Sequence, residues 1–264
     1  MPRFLAGMAL WLAGLAVLFF SVRLKQYRFL AWSYIVCYAV LFALHGKNYY
    51  LSPIYPFLLA AGAVALEGIL EAPSRAWMKW AAAALVVASG LRLAPVTVPV
   101  FSPEHFIAYA KHLPLKLPVT EYAHERAALP QWYADQFGWR EIVEETAVAW
   151  NRIPPQDRAG CAVFAQDYGQ AGAIDFFGPR YGLPPALSGH QTYFLWGPRG
   201  YSGSCMIVLG DRRARLNQLF RSVDFVGVSP DNPYALEKNI SVYICRGAKF
   251  GTLAQLWPLL KKWR

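Results

Sequence analysis

Three groups of residues in this 264-residue chain have side chains suited to chemistry. Lys47, Tyr49 and Tyr50 set a cation beside two phenolic donors between apolar runs, which suits a phosphate held at a membrane boundary. The same residues also read as an aromatic belt with a snorkelling lysine, and side-chain chemistry alone favours the belt. Asp167-Tyr168-Gly169-Gln170 follows a short apolar run and opens a helical pattern. Free amides at such a turn hold an anion or a polar acceptor, although a turn capped by Asp167 fits equally well. Ser188-Gly189-His190-Gln191-Thr192-Tyr193, with Trp196-Gly197, joins hydrogen-bonding groups to aromatic faces, useful for sugars and for packing alike. The substrate-binding candidates are therefore Lys47, Tyr49, Tyr50, Tyr168, His190, Tyr193 and Trp196, with His190 the first to test in its group. No residue is assigned a catalytic role.

Other chemistries are poorly served. Ser188 lacks the G-x-S-x-G elbow of a hydrolase, and no third partner stands at a telling spacing. Cys37 lies inside an apolar run, and Cys161, Cys205 and Cys245 are scattered without a C-x-x-C pair, so no metal site is expected and the sequence names no cofactor. An oxidising exterior permits one disulfide, with Cys205 and Cys245 the candidate pair if their strands adjoin. The chain is basic, at +10, but after Leu93 it carries 18 Lys and Arg against 14 Asp and Glu. That leaves no basic stripe for nucleic acid, and no phosphate-binding loop or dinucleotide fingerprint is present. Arg212-Arg213-Arg215 and Lys261-Lys262-Arg264 read as solvated faces or as contacts with anionic headgroups.

The elements that must position these residues follow from composition. The chain is 56% hydrophobic and only 16% charged, too apolar for an ordinary soluble domain and far from disorder. The apolarity concentrates in four nearly uncharged runs, expected as membrane helices at about 4–22, 29–45, 53–71 and 76–93, each near the length that crosses a hydrocarbon core. A signal peptide would explain the first run less well, because no small-residue cleavage site follows and three further apolar runs come directly after. Arg23, Lys25 and Arg28 fill the first connection, and Arg75 and Lys79 the third, whereas the second carries only Lys47. The basic connections stay in the cytoplasm, so the second connection and everything after Leu93 are expected outside.

Residues 96–264 read as one extracytoplasmic α/β domain with a mainly parallel or mixed sheet. Ser102 looks like an N-cap with Pro103 at the first helical position. Residues 131–150 are expected as one helix, with Trp132, Phe137, Ile142, Val143 and Val148 at helical spacing, ended by Pro154-Pro155. Strands are expected at 161–165, 204–209, 223–228 and 240–246, helices at 170–177, 212–220 and 253–262. The last strand is the one open to antiparallel pairing.

Two stretches carry a resemblance. Gly46-Lys47-Asn48-Tyr49-Tyr50-Leu51-Ser52-Pro53-Ile54-Tyr55-Pro56, running into Ala60-Ala61-Gly62-Ala63, resembles the late-helix motif of bacterial polytopic glycosyltransferases related to protein mannosyltransferases and to the lipid A aminoarabinose transferase. Phe137-Gly138-Trp139-Arg140, the segment from Gln166 to Ala173, and Ser188-Gly189-His190 through Trp196-Gly197 are similar to the extracytoplasmic carboxy-terminal domain of bacterial members. The resemblance implies a multi-pass protein of the bacterial plasma membrane. It implies transfer of a sugar from a polyprenyl-phosphate carrier to an extracytoplasmic lipid, glycan or protein acceptor, with membrane lipids as further partners and nucleic acid not among them. It also favours the phosphate-binding reading of Lys47, Tyr49 and Tyr50. In that family the catalytic carboxylates lie in the first extracytoplasmic loop near the amino terminus. The membrane-boundary loop here carries none, and Glu67 and Glu71 stand toward the inner end of the third run. The chain is thus expected to be the carboxy-terminal portion of such an enzyme, inactive alone. A non-catalytic, membrane-anchored binding or scaffold module is the alternative.

Overall fold

The computed structural model describes residues 5–46, 48–70, 73–113 and 129–263. Lys47 and Glu71 lie outside the described residues. The chain divides into two compact units, Met1–Leu115 and Lys116–Arg264.

The first unit is helical: α1 (Leu5–Phe20), α2 (Arg28–Ala43), α3 (Tyr55–Ile69), α4 (Ala76–Thr97) and α5 (Pro103–Lys111). Among the described residues, two stretches are long and apolar enough to cross a membrane, Tyr49–Ile69 and Ala76–Thr97. The first of these joins α3 to the 3-10 turn Asn48–Ile54 before it. Helices α1 and α2, 16 residues each, are bent 108° to one another across their short connection and meet the same length and composition criterion only when taken together. At 1.5 Å per residue each covers only about 24 Å, short of the hydrocarbon thickness. α1 and α3 pack backbone to backbone, because a Cβ on Gly14 would run into the Leu58 carbonyl and one on Gly62 into the Leu10 carbonyl. Small residues let apolar helices approach this closely. Trp11, Tyr34 and Tyr55 form an aromatic cluster linking α1, α2 and α3, with ring centroids 5.6 to 6.0 Å apart. Tyr55 thereby belongs to the packing. Ser102 caps α5, as its sequence position indicates. That helix sits in the first unit, where the Tyr109 hydroxyl donates to the Arg92 carbonyl, whereas the sequence assigns everything from residue 96 to the second domain.

The second unit runs α6 (Gln131–Ala134), α7 (Trp139–Asn151), β1 (Cys161–Ala165), α8 (Tyr168–Phe177), β2 (Leu187–Ser188), β3 (Cys205–Leu209), α9 (Arg213–Leu219), β4 (Phe220–Val228), β5 (Ser241–Ala248) and α10 (Leu253–Leu256). The sheet order is β2-β1-β3-β5-β4. β1 pairs in parallel with β2 and β3, while β5 runs antiparallel to β3 and β4. The sheet is mixed, and its two faces follow from strand periodicity. Cys161, Val163, Ala165, Ile207, Leu209, Val242 and Ile244 face the core shared with α7 and α8. Ala162, Phe164, Met206, Val208, Tyr243 and Cys245 face the other, shared with Leu216 of α9 and with Leu253 and Trp257.

Three expectations are corrected. Cys161, not Cys245, pairs with Cys205. β3 and β5 do adjoin, but Cys245 lies opposite Met206 and faces the other core, whereas Cys161 and Cys205 are register partners with Cα atoms 4.5 Å apart. The helix expected over 131–150 is broken, since Gly138 at φ 90° reverses the chain between α6 and α7. The break resets the helical phase, so Val148 is exposed and Trp150 is buried. The terminal helix ends at Leu256, and a 3-10 turn continues from Trp257 to Leu260 around Pro258.

Candidate functional site

The parallel strands β1, β2 and β3 end at one edge of the sheet, and antiparallel pairing brings the β4–β5 connection to the same edge. From β1 the chain passes through α8 to β2 on one side, then crosses to β3 on the other. The carboxyl ends of β1 and β3 therefore flank a topological switch point, where open α/β sheets hold ligands.

At the end of β1, Asp167 caps α8, its Oδ1 accepting from the Gln170 amide at 2.8 Å. The Tyr168 amide donates to His190 Nδ1 at 3.3 Å. Both amides are thus already engaged, and the turn is a capped one. The His190 acceptor role places that ring's proton on Nε2. Burial lowers the His190 pKa, opposed by Asp167 and reinforced by Lys262, so the neutral ring is favoured. The Tyr168 and His190 rings lie 5.1 Å apart, and Tyr168 is half exposed.

Further along α8, the Tyr193 hydroxyl donates to Asp175 Oδ2 at 2.9 Å, while Asp175 Oδ1 accepts from the Ala186 amide. Burial, with the hydrogen bond to Asp175, pushes the Tyr193 phenol up to about 12. Trp196 packs edge-on against Tyr193 at 4.4 Å, and Arg199 lies over the Trp196 ring. The structure thus brings together Tyr168 with His190 and Tyr193 with Trp196, both pairs beside α8. Tyr49 and Tyr50 belong to the first unit, half exposed on the 3-10 turn with rings 4.8 Å apart.

A polar chain that the sequence does not announce crosses the same edge. Gln170, 3% exposed, donates from Nε2 to Glu237 Oε2 and accepts the Gln166 amide at Oε1. Gln166 Nε2 donates to Asp211 Oδ2, and Lys262 Nζ donates to Gln166 Oε1. Burial raises the Glu237 carboxyl, with Asp167 and Asp135 adding to the rise and Gln170 partly offsetting it. Asp135 is itself raised by burial. Gly138 seats this cluster: its Cα faces Ala235 and the Glu237 carbonyl with no room for a side chain, while Trp139 packs on Gly169 and donates to the Asp135 carbonyl. Glu237 and Asp135, both raised by burial, thus lie close enough to interact electrostatically, a pattern enriched at functional sites. Partners 45, 67 and 96 residues apart left no local signal.

Cavities occur in both units. One of about 70 Å³ lies between the sheet and α9 and α10, lined by Phe164, Met206, Leu216 and Leu253, with Gln166, Asp211 and Lys262 among its polar walls. In the first unit an apolar groove of about 750 Å³ runs between α1, α3 and α4, lined by residues including Leu10, Gly62, Leu66 and Val86. Glu67 and Lys79 also line it and pair at 3.5 Å. Among the described residues no group of His, Cys, Asp and Glu is placed to hold a metal ion. Compared with protein-family models, curated proteins and solved structures, the chain matches none.

Proposed function

We propose that this protein is an integral-membrane glycosyltransferase of the polyprenyl-phosphate-sugar type, spanning the bacterial plasma membrane four times and delivering the sugar to an extracytoplasmic lipid, glycan or protein. The observation that carries the reading is convergence. Phe137-Gly138-Trp139, Asp167 to Gln170 and Ser188 to His190 are remote in sequence yet meet at one edge of the sheet, around polar side chains and the exposed faces of Tyr168 and Trp196. Aromatic faces beside hydrogen-bonding groups suit a sugar ring, whose C–H faces are apolar and whose edges are polar. In this reading Tyr168, His190, Tyr193 and Trp196 hold the acceptor glycan, Lys47, Tyr49 and Tyr50 hold the carrier phosphate, and the apolar groove takes an isoprenoid segment. The Cys161–Cys205 disulfide supports an oxidising exterior for this domain.

Attack by an acceptor hydroxyl on the anomeric carbon is helped by a base that takes its proton. No carboxylate stands between His45 and Ser52, which favours the second reading, a membrane-anchored binding or scaffold module that holds glycan without transferring it. A photoreactive polyprenyl-phosphate sugar added to the full chain in lipid nanodiscs tests both. Saturable crosslinking near Tyr49, lost in Tyr49→Ala/Tyr50→Ala, supports carrier binding, and its absence overturns it. Crosslinking without sugar transfer to added acceptor membranes supports the module.

A further inference from the structure

The α/β domain carries a second surface whose exposed apolar residues lie outside the core and, Trp196 apart, outside the proposed sugar site. The 3-10 turn Gln191–Trp196 and the carboxy-terminal stretch from Trp257 to Trp263 are tied side by side. The Gln191 amide donates to the Lys262 carbonyl and the Lys262 amide to the Gly189 carbonyl, each at 2.8 Å. Trp257 stacks on Phe194 and donates from its indole nitrogen to the Phe194 carbonyl. On these two joined segments Leu195, Trp196, Leu259 and Trp263 are 69, 54, 81 and 55% exposed. Cations are interleaved with them. Lys261 Nζ lies 5.4 Å from the Phe194 ring centre and 5.0 Å from that of Trp263, and Arg199 lies 5.4 Å from that of Trp196. Residues 188–210 and 238–264 contain no Asp or Glu at all. Of the acids that reach these segments from α8, Asp175 is taken by Tyr193 and Ala186, and Asp167 by the Gln170 amide.

We infer that this surface docks on the headgroup layer of an anionic phospholipid bilayer. Leu and Trp side chains enter the boundary between headgroup and acyl chain, while Lys and Arg lie along the apolar surface and reach the phosphates. Acid-free cationic segments complement anionic lipid, and a chain with helices long and apolar enough to cross a membrane keeps a bilayer within reach of its own domain. The inference rests on membrane embedding and not on sugar transfer.

The test uses the full chain with Cys37→Ser, reconstituted in vesicles containing a nitroxide-labelled lipid. An environment-sensitive fluorophore is attached at Leu259→Cys or, as the comparison, at Phe225→Cys, which is exposed on β4 at the opposite edge of the sheet. In phosphatidylglycerol-containing vesicles the label at 259 is expected to be quenched at least about fivefold more than that at 225, each cation near an anionic surface contributing about that factor to partitioning. Arg199→Glu/Lys261→Glu, or the milder Arg199→Gln/Lys261→Gln, is expected to lower the quenching at 259 by at least the same factor. Equal quenching at the two sites, or none at 259, overturns the inference. So does quenching unchanged in purely zwitterionic vesicles, or shielding at 259 that disappears as protein is diluted in lipid, which marks a second copy as the occupant. Carrier crosslinking near Tyr49 is read separately, so failure of one proposal leaves the other standing.

Discussion

Glu237 and the cysteines show how far single side chains depend on their surroundings. Burial beside Asp167 and Asp135 raises the Glu237 carboxyl above its unfolded value, so the folded state takes up a proton there more readily. The stability this contributes is present below the ordinary carboxylate range and is lost as pH rises through the raised folded value. Glu237→Gln, which keeps an acceptor for Gln170, is expected to raise the melting temperature at neutral pH, with the gain shrinking toward pH 4, as read by melting both proteins across that range. The thiols separate equally sharply. Cys245 is buried and its thiol is pushed up to about 12 by burial, with Asp211 and Asp224 adding to the rise, so it is expected to resist alkylation until the domain unfolds. Cys161→Ala/Cys205→Ala removes a link across a 44-residue separation. The loss is expected to be about 2–5 kcal/mol by denaturant titration. Spacing could nominate cysteines but could not pair them, because pairing depends on which strands adjoin and on which face each residue meets.

At the scale of elements, close backbone approach and chain reversal set the geometry. α1 and α3 touch through Gly14 and Gly62, and the run Ala60-Ala61-Gly62-Ala63 already suggests a helix face able to approach another. Gly62→Leu is expected to pry the two helices apart and lower the thermal stability of the first unit in detergent, whereas Gly68→Leu, with open space around its Cα, is expected to leave it unchanged. Strands β1, β3 and β5 and helices α8 and α9 stand within a few residues of where apolar runs and turn residues put them, because period-two burial and capping are local signals. β2 escaped that reading, being two residues long and defined by pairing with β1. The 131–150 helix failed for a similar reason: its apolar residues keep helical spacing, and only a left-handed Gly138 packed on the β4–β5 connection breaks it.

For the molecule as a whole, orientation in the membrane is the property most open to test. In the proposed topology, with α1 and α2 as two spans, the basic connections before α2 and before α4 are expected inside and the turn before α3 outside. In a Cys37→Ser background, Asn48→Cys is expected to react with a membrane-impermeant thiol reagent in intact cells and Gln26→Cys only after lysis. The sequence by itself determined the apolar helices, the charge bias between their connections, the α/β alternation and the residue types suited to phosphate and sugar, because each rests on composition or short periodicity. Only the tertiary structure decided the cysteine pairing, the 108° bend between α1 and α2, and the gathering of Glu237, Gln170, Gln166, Asp211 and Lys262 at one sheet edge. The pairing and the gathering depend on strand order and register, which join residues tens of positions apart and leave no trace in local spacing.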